Sequence, residues 1–177
     1  MIILLTGLPG SGKTMTGTIL RELLCEGGHK ATLLDGDTIR EISGKKFGFT
    51  GDDRRARVIE LAKMATQIDG YVICALIAPT DALRAEFRQV SETAGAFVEV
   101  YLSTPLSVCE TRKPKLYQRA RNGELGDYAG ITSPYEVPRT PDIEIDTTNK
   151  TAREAALWVL ERLPSTKSFD AGFADMI

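Results

Sequence analysis

Residues 1–14 read MIILLTGLPGSGKT, an apolar run that breaks at Gly7 into a glycine-rich loop and closes on Lys13 and Thr14. Gly7, Leu8, Pro9, Gly10, Ser11, Gly12, Lys13 and Thr14 fit the pattern G-x-x-x-x-G-K-[ST] in full, between a strand-like run at 2–6 and a helical pattern at about 13–26. In that setting backbone N–H groups curl around a β-phosphate and the helix N-terminus adds positive potential. Lys13 then reaches the β and γ oxygens, and Thr14 offers a hydroxyl to Mg²⁺. The loop decides the fold because it belongs at the junction of a buried strand and a helix.

Outward from it, strand-like runs at 31–35, 71–78, 97–102 and 142–146 alternate with helical patterns at about 52–69, 80–94, 105–111 and 150–163. Such alternation predicts an α/β protein with three layers, a central parallel five-stranded sheet and helices on both faces. The run YVICALIA at 71–78 is apolar throughout, as a strand covered on both sides must be. At 177 residues one domain over 1–177 is expected. The segment at about 112–141 is rich in Gly, Pro, Lys and Arg, with a short helical pattern at 116–121, and reads as a basic lid. The tail at 164–177 shows no clear periodicity.

A net charge of −2 provides no footprint for a nucleic acid, so any basic site is local. No apolar run approaches a membrane span, and MIILL lacks the flanks of a signal peptide. Cys25, Cys74 and Cys109 are odd in number and lack metal-ligand spacing, which suits reduced thiols in the cytoplasm. The strand from Tyr71 ends at Ala78 and Pro79 without an acid to serve a motor-type metal site. Asn149-Lys150-Thr151-Ala152 lacks the aspartate of a guanine-reading loop, so both the motor and the switch readings weaken.

Asp35 and Asp37 replace the missing acid. They flank Gly36 just beyond Leu34, at the strand end where a doubly wound sheet binds its ligand. One carboxylate there can hold Mg²⁺ while the other accepts the proton of an attacking hydroxyl. The sequence leaves open which does which, and Asp37 also suits a helix N-cap.

Asp35-Gly36-Asp37-Thr38-Ile39-Arg40, Phe47-Gly48-Phe49-Thr50 and Asp52-Asp53-Arg54 resemble adenylylsulfate kinases at the family's spacing. Pro105 to Glu110, Leu116-Tyr117, Ala120-Arg121, Gly123-Glu124, Gly130-Ile131, Pro134-Tyr135-Glu136, Pro138 and Asp146-Thr147 continue the resemblance, which covers about residues 1–163. It implies a homodimeric P-loop kinase that moves the γ-phosphate of Mg-ATP to the 3′-hydroxyl of a small-molecule nucleotide acceptor, adenosine 5′-phosphosulfate. Phe49 and Tyr128 are then expected to stack on adenine, and Arg40 and Arg54 to take the phosphosulfate. Ile77 and Ala78 are expected to line the acceptor, and Lys115 to contact the transferred group as the lid closes. The catalytic set is thus Lys13, Asp35, Asp37 and Lys115, with Thr14 and Asp35 on the metal.

The departures from the family pattern cluster on the acceptor side. Arg57 stands where relatives have asparagine and Ile59 where they have arginine, and Arg57 shares a helix face with Arg54, from which it can supply the missing cation. Ala78, Thr80 and Asp81 replace the S, Y and R of ISPYR, which excludes a phosphoserine at 78 and predicts direct in-line transfer. Another nucleotide hydroxyl, such as that of cytidine diphosphoramidate, is the alternative acceptor. An ATP-binding regulatory module is a further one, against which the retained acids and basic lid count.

Overall fold

The computed structural model describes residues 1–36 and 51–164. Its sheet is built from β1 (Ile2–Thr6), β2 (Ala31–Asp35), β3 (Tyr71–Ala75), β4 (Phe97–Leu102) and β5 (Ile143–Ile145). They lie in the order β2-β3-β1-β4-β5 and all pair in parallel, as the alternation predicts. The helices are α1 (Lys13–Glu26), α2 (Gly51–Ala65), α3 (Asp81–Ser91), α4 (Leu106–Arg112), α5 (Pro114–Arg121) and α6 (Ala152–Leu160), with a 3₁₀ turn at Glu92–Ala94.

The two-residue period of a strand divides the core between the faces. Ile3 and Leu5 of β1, Ile73 of β3 and Val98 and Val100 of β4 pack against Leu20, Leu23 and Leu24 of α1 and Ala156 and Val159 of α6. Ile2, Leu4, Val72 and Cys74 face the other way, onto Val58, Leu61 and Ala62 of α2 and Phe87 of α3. Helix α1 approaches the sheet closely because Gly17 has no side chain; a Cβ there would lie 2.9 Å from Leu33 Cδ1 and 3.2 Å from Leu5 Cδ1. His29, half-buried before β2, packs edge-on against Tyr71 at 5.3 Å.

The third strand ends three residues earlier than its apolar run suggests. Beyond Ala75 the chain turns, with Leu76, Ala78 and Pro79 still buried. Apolarity in 71–78 therefore reports burial of the turn as well as of the strand. Ala78 adopts φ +40°, an unusual conformation for a residue with a Cβ, of order 1–3 kcal/mol in cost. Its neighbours hold it there, as the site shows.

Candidate active site

The phosphate loop leaves β1 and enters α1 with no capping side chain and no acid in the first helical turn, so the helix N-terminus is left to an anion. Gly10 has φ +88°, and a Cβ on it would meet Cys109 O at 2.9 Å. Loop and α4 are thus packed backbone to backbone. Lys13 Nζ donates to the carbonyls of Gly7 and Leu8, both at 2.8 Å, which sets the ammonium over the loop.

Thr14 and Asp35 meet across the sheet edge, where the Thr14 hydroxyl donates to Asp35 Oδ2 at 2.7 Å. Both atoms are hard oxygens of the type that suits Mg²⁺. Among the described residues no cluster of three or more His, Cys, Asp or Glu could cage a metal. A hydroxyl and a carboxylate fit instead an ion that takes its remaining ligands from substrate phosphates and water. Asp37, Arg40 and Phe49 lie outside the described residues.

The far side of the loop is braced by groups that sequence reasoning did not single out. Thr147 Oγ1 donates to Ser11 O at 2.9 Å and lies 2.8 Å from Thr104 Oγ1. Arg112, expected to belong to a moving lid, donates to Thr147 Oγ1 at 2.8 Å and to Thr147 O at 2.7 Å. It therefore clamps the exit of β5 onto the phosphate loop. The signal was present in part, since Asp146-Thr147 matches the family pattern. Nothing local indicated the partner.

The basic segment divides in the same way. Arg119 pairs with Glu124 at 3.0 Å, and Arg121 pairs with Glu110. Lys113 and Lys115, both exposed, carry no ion pair among the described residues. Lys115 lies on the first turn of α5.

Arg54 of α2 reaches the segment that follows α5. Its Nη2 donates to Asp127 O at 2.8 Å and pairs with Asp127 Oδ2 at 2.7 Å. Tyr128 follows directly and packs edge-on against Tyr117 at 5.0 Å, while Tyr117 is buried and donates through its hydroxyl to Pro9 O at 2.8 Å. Burial pushes the Tyr117 phenol well above its ordinary range, which keeps it a donor. The structure therefore brings Arg54 and Tyr128 together and connects both to the phosphate loop. Arg57 is half-buried on the same helix.

The turn at Ile77–Asp81 is held from two directions. Thr6 Oγ1 donates to Ile77 O at 2.6 Å and lies 3.0 Å from Tyr135 Oη. Glu136 N donates to Pro79 O at 2.8 Å, and Glu136 Oε2 accepts from Asp81 N at 2.7 Å. Beneath the turn, Arg84 is only 2% exposed and donates to Ala78 O at 2.8 Å while pairing with Asp81 and Glu99. A buried arginine needs such partners. Glu99, a lone acid in the apolar strand FVEVYL, was the readable hint that a cation lay beneath. Beside this turn, Leu8, Tyr101, Gly130, Ile131 and Tyr135 line a cleft of about 520 Å³.

Comparisons with known proteins agree on one family. The family model of adenylylsulphate kinase matches residues 1–146. The adenylyl-sulfate kinase of Halothermothrix orenii is 40% identical over 162 residues, 89% of this chain and 86% of that protein. That of Bacillus pumilus is 45% identical over 150 residues, 82% of this chain and 76% of that protein. Among solved structures, the Mycobacterium tuberculosis APS kinase CysC in complex with AMPPNP and APS superposes with a TM-score of 0.86 at 37% identity, over 93% of this chain and 97% of that one. The chain belongs to the adenylylsulfate kinase family and has its α/β kinase fold.

Proposed function

We propose that this member of the adenylylsulfate kinase family transfers the γ-phosphate of ATP to the 3′-hydroxyl of adenosine 5′-phosphosulfate, giving 3′-phosphoadenosine 5′-phosphosulfate for sulfate activation. The observation that carries the reading is the Thr14–Asp35 pair at the lip of the phosphate loop, in a chain that belongs to the adenylylsulfate kinase family. A protein that only bound nucleotide would have no use for an acceptor-activating carboxylate, the part assigned to Asp37.

In this reading the loop amides and Lys13 hold the β- and γ-phosphates of ATP, and Thr14 and Asp35 hold Mg²⁺. When bound, the ion neutralises charge developing on the phosphates. Asp37 accepts the proton of the acceptor hydroxyl as it attacks in line. Arg40, Arg54 and Arg57 bind the anionic end of the acceptor, and Phe49 and Tyr128 take its base. Ile77 and Ala78 supply backbone on the opposite wall, with no hydroxyl at 78 to take a phosphate. Lys115 approaches the transferred group as the lid closes, and closure keeps water from competing with the acceptor. A homodimer working in the cytoplasm is part of the same proposal, and light scattering tests the dimer.

The deciding measurement is ADP release with adenosine 5′-phosphosulfate against a panel of other nucleotides, cytidine diphosphoramidate included. Adenosine 5′-phosphosulfate is expected to give the highest kcat/KM by at least an order of magnitude. Selective turnover of another nucleotide would overturn the acceptor while sparing the kinase, and no acceptor-dependent ADP release with any of them would overturn both. Asp37→Asn is expected to lower kcat by about a hundredfold or more with little change in ATP affinity.

A further inference from the structure

Within that reading, one contact works against the substrate. Arg54 is one of the two described arginines assigned to the acceptor's anionic end, yet its Nη2 already touches both Asp127 O and Asp127 Oδ2, at 2.8 and 2.7 Å. Nη2 is common to both edges by which a guanidinium takes two oxygens at once, Nε with Nη2 and Nη1 with Nη2. A forked grip on an oxyanion therefore requires Asp127 to leave. The two side chains are 23% and 29% exposed, so water screens their attraction only in part.

We propose that Asp127 is a specificity-determining residue that competes with the acceptor's oxyanion for Arg54. The inference rests on the phosphosulfate reading for the identity of the anion, and on the contact alone for the competition. Its carboxylate holds Arg54 in place when no anion is there and sets a threshold that only a strongly anionic acceptor overcomes. A less charged nucleotide cannot displace it. Asp127 precedes Tyr128, which packs on Tyr117, and Tyr117 bonds the loop carbonyl of Pro9.

The test is a double-mutant cycle read by calorimetry, with the ATP site filled by AMPPNP and adenosine 5′-phosphosulfate as ligand. Asp127→Asn is expected to tighten binding roughly tenfold, the weight of one charge-assisted hydrogen bond released from competition. In an Arg54→Ala background the same substitution is expected to change affinity less than about twofold. Unchanged or weaker binding by Asp127→Asn, or an equal gain without Arg54, would overturn the proposal. If Asp127→Asn lowers the melting temperature, Asp127→Gly replaces it in the cycle. Inorganic pyrophosphate, run through the same cycle, separates this inference from the acceptor assignment. A gain with pyrophosphate in a protein that releases no ADP with adenosine 5′-phosphosulfate keeps Asp127 in its role and removes only that acceptor; no gain with either ligand overturns the competition itself.

Discussion

Asp35 Oδ2 accepts from the Thr14 hydroxyl. Asp35→Asn keeps an oxygen for that hydroxyl but removes the charge, so the local geometry survives while metal affinity falls. We expect a kcat loss of roughly a hundredfold at fixed Mg²⁺ and a Mg²⁺ titration midpoint displaced upward, both read in a coupled ADP assay. Tyr135 is a quieter residue. Its hydroxyl lies against Thr6 and its ring stacks on Tyr101 at 6.2 Å. Tyr135→Phe preserves the ring and deletes the bond that steadies Thr6 beneath Ile77 O. The expected result is about 1 kcal/mol of stability lost in urea unfolding, with acceptor KM raised a few-fold and ATP KM unmoved.

At the scale of elements, local chemistry and long-range packing separate cleanly. Helix α6 begins with a capping box, Thr151 accepting from Glu154 N while Glu154 accepts from Thr151 N. Thr151→Ala is expected to cost about 1 kcal/mol and lower the melting temperature by about 2–4 °C, measured by circular dichroism. Strand β4 poses the opposite case in Glu99. Burial raises its carboxyl above the ordinary 4.5, against the pull of Arg84 and Arg88. A raised acid favours the protonated folded form, so its contribution is full below pH 4.5 and declines as pH rises through the raised value. In urea unfolding from pH 4.5 upward, the stability of the wild type relative to Glu99→Gln is expected to fall with pH; a constant difference would show that Glu99 titrates normally. The capping box stands in four consecutive residues, whereas the burial of Glu99 depends on α3 lying across it.

Across the whole molecule, the three cysteines report where solvent reaches. Cys25 is exposed on α1, while Cys74 and Cys109 are buried and their thiols raised by desolvation. An aromatic disulfide reagent at mildly alkaline pH is expected to titrate one thiol in the native protein and all three after unfolding. Two or more native thiols would mean that the sheet face around Cys74 or the packing of α4 on the phosphate loop around Cys109 opens far more readily than their burial implies.

What the chain carried in its own order was the fold and the local elements of the candidate site. The strand-loop-helix at 1–26, the alternation behind it and the acid at the end of β2 are short-range patterns, and hydrophobic period and turn chemistry are enough to read them. Tertiary structure alone decided which distant groups meet. Thr6 reaches Tyr135 across 129 positions and Thr147 reaches Ser11 across 136, because a parallel sheet gathers all its strand ends at one edge whatever their separation along the chain. For the same reason the lid's cations could be counted in the sequence but not sorted. Only packing shows that Arg112 clamps the loop, that Arg119 pairs with Glu124 and Arg121 with Glu110 of α4, and that Arg54 is held by Asp127.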